Sequence, residues 1–125
     1  MKIALVIVRI LLGMLFLFAS VSFFFNLITP PELTGNTKLF MDGVIATGYL
    51  MQLIKATELV CGLAFVSGLF VPLAATVIAP ISINIFLYHL FVDTSGLPVA
   101  VFVLLANIVI AYGHRDKFKP MLRAK

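Results

Sequence analysis

Charge is what this 125-residue sequence has least of. Charged residues make up 11% of it and hydrophobic residues 62%, whereas roughly a quarter of the residues in ordinary soluble domains are charged. A soluble protein of this composition would expose large apolar patches. The composition is therefore typical of a protein that dissolves in lipid, and we expect one domain over residues 1–125 that ends in a short basic tail.

Cysteine and the usual catalytic motifs are scarce as well. Cys61 is the only cysteine and lies within an apolar run, which excludes an intrachain disulfide, a thiolate metal cluster and a paired-thiol redox motif. The sequence lacks a Gly-rich phosphate loop, a nucleophile elbow, paired catalytic carboxylates and a metal-binding helix motif. These absences argue against hydrolytic and nucleotide chemistry, and the sequence encodes no cofactor or redox centre.

Long apolar runs are abundant by contrast. Crossing the hydrocarbon core takes about 20 helical residues, and four runs approach or exceed that length, at approximately 3–28, 49–69, 72–92 and 97–113. The sequence thus predicts an all-α membrane protein built as a bundle of four transmembrane helices. The first run also has features of a secretory signal peptide, since Lys2 precedes it and the stretch from Ala19 to Ser22 within it offers small residues for cleavage. It continues to Ile28, however, beyond the usual core of about 7–15 residues.

The links between these runs predict how the helices are connected. Gly68 in "GLFVP" can close the second helix in the left-handed conformation, and Pro72 suits the first turn of the third. "DTSGLP" contains capping and turn residues, and Pro98 again fits a first turn. Both links therefore predict tight hairpins of antiparallel helices.

The link between the first two runs is long, "TPPELTGNTKLFMDGVIATG". We expect Pro30 and Pro31 to stop the first helix. Apolar residues at helical spacing then predict a short helix lying in the membrane interface, with a plain solvated loop as the alternative; they are Leu39, Phe40, Val44 and Ile45.

The basic residues predict the orientation. Lys2 and the five Lys and Arg residues of "HRDKFKPMLRAK" fall on one side of a four-span bundle, and Lys38 falls on the other. By the positive-inside rule both termini are cytoplasmic, in the cell (inner) membrane. The net charge of +4 lies mostly in this tail, which favours anionic lipid headgroups over nucleic acid. A docking surface for a soluble partner is the alternative use of the tail.

Five polar residues within the spans form the candidate site, with Asn107 as a weaker sixth; they are Arg9, Lys55, Glu58, Asn84 and His89. A lone charge in lipid costs about 3 kcal/mol on insertion scales, so such residues normally face the bundle interior and pair. Lys55 and Glu58 are neighbours on one helix face. Helix direction places both near Asn84 and His89, and a long Arg9 side chain extends toward Glu58 from the cytoplasmic side.

The charges of this cluster do not balance, because Arg9 and Lys55 are positive and Glu58 alone is negative. Three explanations stay open. Lys55 loses its proton on desolvation, Arg9 reaches the inner headgroups, or the cluster holds an anion or a quinone carbonyl. His89 has a haem or metal interpretation, but no second histidine or carboxylate-rich set accompanies it, so a hydrogen bond within the bundle is favoured.

Several stretches resemble the DoxX family of small membrane proteins. They are "RILLGMLFLFA", "GYLMQLIKATELVCGLAFVSGLFVPLA", "APISINIFLYHLF" with "SGLP", and "YGHRDKFKP". The resemblance implies a four-helix membrane protein linked to quinone-dependent sulfur oxidation and to redox or oxidative-stress complexes, with the five site residues on the family's polar pattern. One departure is "SVSFFF", with Ser20, Ser22 and Phe23 where a glycine and a basic or polar residue are common.

The sequence therefore favours a non-catalytic accessory or anchor subunit near quinone-linked redox enzymes. Two alternatives remain. A quinone-binding oxidoreductase subunit would exchange protons at His89 or Glu58 and take electrons from a redox-enzyme partner. A small-solute transporter would use Glu58, Lys55 and Pro80 along its path, and with so few helices it would act as a homo-oligomer.

Overall fold

The computed structural model describes residues 2–27 and 32–124. Its four long helices confirm the four expected spans: α1 (Lys2–Phe24), α3 (Leu50–Ser67), α4 (Val71–Phe91) and α5 (Leu97–Gly113). Each is long and apolar enough to cross a membrane, the last together with the turn before it. Two short helices accompany them, α2 (Gly35–Ala46) in the long link and α6 (Arg115–Phe118) in the basic tail.

Helix α1 ends at Phe24, earlier than the sequence suggested. Asn26 adopts the left-handed conformation (φ 53°), and the N–H groups of Asn26 and Leu27 donate to the carbonyls of Phe23 and Ser22. This is the Schellman pattern that closes a helix. The end near residue 28 was therefore a wrong prediction, and Pro30 and Pro31, which were expected to stop the helix, lie outside the described residues.

The two tight hairpins form as the turn residues predict. Gly68 is left-handed (φ 82°) at the end of α3, and Pro72 and Pro98 lie in the first turns of α4 and α5. Asp93 accepts hydrogen bonds from the backbone N–H and the hydroxyl of Ser95. The hydroxyl contributes most to lowering the pKa of the Asp93 carboxyl below its ordinary value.

Helices α1 and α3 approach each other closely through two glycines. A methyl group on Gly13 would lie 3.0 Å from the carbonyl oxygen of Gly62, and one on Gly62 would lie 3.0 Å from that of Gly13. Phe16 and Phe65 stack beside this crossing with ring centroids 6.4 Å apart. Both glycines therefore serve the packing of α1 on α3, because small residues let the backbones of membrane helices come together.

Helix α5 completes the bundle against α4 and α1. The buried Asn107 amide donates across the interface to the Ala75 carbonyl, 3.3 Å away. Gly113 packs against Leu5 of α1, so the first turn of α1 and the last turn of α5 meet at one end of the bundle. We call it the terminal end, and we call the opposite end the α2 end.

The outward surface of the bundle is apolar. Phe18, Leu63, Leu73 and Leu105 are among many large apolar side chains that are more than half exposed. The buried core consists mainly of Ala, Val, Phe and Ile side chains from the four long helices. Lipid is the solvent that such a surface requires.

Replacing Gly62 by alanine should destabilise the fold, because the new methyl group also lies 3.0 Å from Leu17 Cγ and pushes α1 away from α3. We expect a loss of about 1–3 kcal/mol in the free energy of unfolding. Heat or SDS unfolding in detergent, followed by circular dichroism, measures it.

Gly43→Ala is the matched control. Gly43 lies within α2, and its methyl group would meet no described atom within 4 Å. Helix propensity favours alanine there by up to about 1 kcal/mol, so its stability should be unchanged or higher. Equal destabilisation by the two substitutions would contradict the close crossing of α1 and α3.

Candidate functional site

A cavity of about 490 Å³ lies between α2, α3 and α4. Apolar side chains form most of its wall, among them Met41, Ile54 and Ile85. Four polar or charged side chains join them, namely Lys55, Glu58, Asn84 and Tyr88. Apolar walls with a few polar groups are typical of small-molecule sites, and the volume falls within their usual range of about 300–1,000 Å³.

An ion pair between Lys55 and Glu58 forms the polar part of this wall. Lys55 Nζ donates to Glu58 Oε2 over 3.2 Å, and the two side chains are 21% and 5% exposed. The expected pairing on one helix face is therefore present. Glu58 is buried from solvent and lipid alike, so the Lys55 ammonium group must neutralise its negative charge.

Asn84 of α4 adds the third polar group. It lines the same cavity, and its side chain is exposed. Its amide is therefore accessible to a bound molecule. The amide supplies both a donor and an acceptor, whereas Lys55 supplies donors and Glu58 supplies acceptors. The three groups together suit a ligand that carries carbonyl or hydroxyl oxygens.

Helix α2 covers the cavity at its own end of the bundle. Val44 is buried, and the Phe40 ring lies 4.8 Å from the Tyr88 ring of α4. Leu39 and Ile45 are exposed on the other side of the helix. The predicted short helix is confirmed. One of its apolar faces lines the cavity, and the other is exposed.

Arg9 does not join this cluster. Its guanidinium lies over Gly68, where a methyl group would come within 2.6 Å of Nη1. Gly68 is ten residues along α3 from Glu58, or about 15 Å at 1.5 Å per residue. The proposed extension of Arg9 toward Glu58 was therefore wrong. A cation beside the last turn of α3 is instead stabilised by the negative end of the helix dipole.

His89 also lies outside the cavity lining. Its Nδ1–H donates to the Asp93 carbonyl over 2.9 Å, and its ring packs on Gly96 and edge-on to Tyr88. The expected hydrogen bond within the bundle is present. Over residues 2–27 and 32–124, no three His, Cys, Asp or Glu side chains are grouped as a metal site.

A family model for DoxX matches residues 4–90, which run from α1 almost to the end of α4. The chain belongs to the DoxX family. The match includes every residue of the cavity in this DoxX protein, whereas α5 lies beyond it. No curated protein sequence and no solved structure matches the chain.

Two features of the interior were missed by the sequence analysis. Tyr88 was not among the candidate site residues, yet it lines the cavity and contacts α2. Ser20 and Ser82 are fully buried, and the Ser20 hydroxyl donates to the Phe16 carbonyl over 2.8 Å. Small residues such as serine are enriched where membrane helices pack, and this signal could have found both.

Replacing Lys55 by methionine should destabilise the protein, because it leaves the Glu58 carboxylate buried without a counter-charge. Removing one partner of a buried pair typically costs about 3–5 kcal/mol, whereas replacing both by apolar residues is often neutral. The double variant Lys55→Met/Glu58→Met should therefore recover most of the loss, as measured by unfolding in detergent.

The matched control is the pair Lys38–Asp42 on α2. Its atoms are closer, at 2.6 Å, but its side chains are 58% and 57% exposed, and such pairs contribute about 0–1 kcal/mol. A Lys38→Met variant as unstable as Lys55→Met would show that burial does not distinguish the two pairs.

Proposed function

We propose that this DoxX-family protein is a non-catalytic accessory subunit that binds a small carbonyl-bearing molecule, such as a quinone headgroup, in the cavity between α2, α3 and α4. The observation that carries the proposal is the Lys55–Glu58 pair on the wall of a 490 Å³ cavity with Asn84 beside it. The DoxX membership supports the link to quinone-dependent redox systems.

The distribution of polar groups favours a ring with polar oxygens over a simple anion. The Lys55 ammonium is already partnered by Glu58 at 3.2 Å, so the pair as a whole offers no excess positive charge. It still presents unused donors and acceptors, since an ammonium has three donors and a carboxylate has several acceptor sites. Neutral hydroxyl and carbonyl groups of a ligand can bond to these acceptors and donors. The apolar wall of Ile54, Ile81 and Ile85 suits the ring that carries them.

The accessory role follows from what the cavity residues can do. Lysine, glutamate and asparagine side chains bind and orient a molecule and exchange protons with it, but none of them carries electrons. A quinone bound there would exchange electrons only with a partner subunit. This DoxX-family chain would then hold the quinone, or a quinone-like molecule, beside a redox enzyme.

The orientation that we propose puts both termini in the cytoplasm and the whole chain, residues 1–125, in one domain of the inner membrane. Lys2 and Arg115 lie at the terminal end together with the other basic residues of the tail, and Lys38 lies on α2. This asymmetry supports the positive-inside arrangement. The cavity then belongs to the outer half of the membrane.

Glu58→Gln and Asn84→Leu should each weaken quinone binding, because the first replaces the charged acceptor of the cavity wall with a neutral amide and the second removes the Asn84 amide. Hydrogen bonds to charged groups contribute about 1.5–3 kcal/mol and other hydrogen bonds about 0.5–1.5 kcal/mol. We therefore expect roughly a tenfold or larger loss of affinity for Glu58→Gln and up to about a tenfold loss for Asn84→Leu. Purified protein in mild detergent is titrated with a short-chain quinone, and bound quinone is extracted and quantified.

Arg9→Gln is the matched control, because Arg9 is charged and lies within a span but contacts Gly68 rather than the cavity. It should bind quinone like the wild type. A wild-type protein that binds no quinone, or an Arg9 variant impaired as much as Glu58→Gln, would overturn the proposed site.

The accessory role makes a separate prediction for the native membrane. Affinity purification of the tagged full chain should recover a redox enzyme, and the Leu39 and Ile45 side chains that α2 leaves exposed offer one apolar contact for it. A control purification from cells that express an unrelated four-helix membrane protein should not recover that enzyme. A purification that recovers no redox protein would contradict the accessory role. The proposed quinone site would then be tested by the quinone titration alone.

A further inference from the structure

Two grooves run along the sides of α5 from the terminal end of the bundle. One, between α1 and α5, has a volume of about 630 Å³ and includes Leu5, Val8 and Val109. The other, between α4 and α5, has a volume of about 570 Å³ and includes Ala79 and Leu104. Ile108 and Arg115 line both grooves, so the grooves meet at one basic residue.

Arg115 is held in place at this junction. Its Nη1 donates to the Tyr112 carbonyl over 3.1 Å, and its guanidinium carbon lies 4.6 Å from the centre of the Tyr112 ring. A guanidinium has five N–H donors, so most of them stay available. Lys2 lines the α1 groove near Arg115 and adds a second positive charge.

Opposing charge is lacking at the junction. Among the described residues, the lining of neither groove includes an acidic side chain. Asp116 is the neighbouring acid in sequence, and it pairs with Lys119 at 3.4 Å. The positive charges of Arg115 and Lys2 therefore face their surroundings without a carboxylate in either groove.

We propose that the two grooves bind one anionic phospholipid with two acyl chains. Its phosphate contacts Arg115 and Lys2, and one acyl chain lies in each groove, so that the lipid straddles α5. Charge complementarity and the apolar walls together identify this occupant, because basic pockets between transmembrane helices at the membrane surface recognise anionic headgroups.

The length of the grooves fits this arrangement. Arg115 follows the end of α5 at Gly113, where a headgroup lies, and Leu104 is the deepest α5 residue of the α4 groove. Leu104 and Arg115 are eleven positions apart, which corresponds to about 16 Å of helix. This distance is close to half of the roughly 30 Å hydrocarbon core, which is the depth of one leaflet's acyl chains.

The test uses the full chain in detergent with dioleoyl phosphatidylglycerol as the probe and native mass spectrometry as the readout. The variant Lys2→Gln/Arg115→Gln should bind this lipid roughly tenfold or more weakly, since each basic residue near a membrane surface contributes about fivefold. Lys117→Gln/Arg123→Gln is the matched control. It removes the same charge from the tail outside both grooves and should bind almost like the wild type.

Two further lipids test the rest of the proposal. Dioleoyl phosphatidylcholine should bind more weakly than phosphatidylglycerol, because its headgroup carries no net charge. Single-chain lysophosphatidylglycerol should also bind more weakly, because it fills one groove only. Equal losses in the two double variants, equal binding of phosphatidylcholine, or equal binding of the single-chain lipid would each overturn the proposal. Circular dichroism confirms that the exposed substitutions leave the helices intact.

Discussion

The charge of Glu58 inside a bilayer is the constraint on which the rest of the structure depends. A carboxylate at this depth has neither water nor headgroups to solvate it, so its helix must turn it inward and provide a cation. Lys55 provides that cation from one turn away. The face of α3 that carries both residues is thereby directed toward α4 and α2. If α3 were rotated the other way, the ion pair would be exposed to acyl chains.

Helix α3 packs closely against α1 on one side and borders the cavity beside Lys55 and Glu58 on the other. Along the α1–α3 crossing, Gly13 and Gly62 bring the backbones together and leave little free volume. On the other side of α3, the cavity separates Lys55 and Glu58 from Pro80, Ile81 and Asn84 of α4. Phe40 and Val44 of α2 cover this cavity. One helix thus has a tightly packed face and a face that borders a cavity. The family match covers both.

Much of this architecture could be predicted from the sequence because it follows from local chemistry. The apolar runs predict four spans, Gly68 and the prolines predict the hairpins, and the Lys55–Glu58 spacing predicts their contact. The long-range features could not be predicted. Arg9 is drawn to the end of α3 rather than to Glu58, and the left-handed Asn26 ends α1 ahead of Pro30. The cavity itself depends on how α2 folds back, which no spacing in the sequence encodes.

The most direct measurement of the central claim is the dipolar coupling between Lys55 Nζ and the Glu58 carboxyl carbon in labelled protein in lipid bilayers. Solid-state nuclear magnetic resonance provides it, with Lys55→Met and Glu58→Gln used to assign the signals. A hydrogen-bonded pair with Nζ and Oε2 3.2 Å apart predicts a detectable coupling and little transfer of magnetisation from acyl-chain protons. An absent coupling together with strong transfer from the acyl chains would show that the two charges point into lipid and would contradict the account.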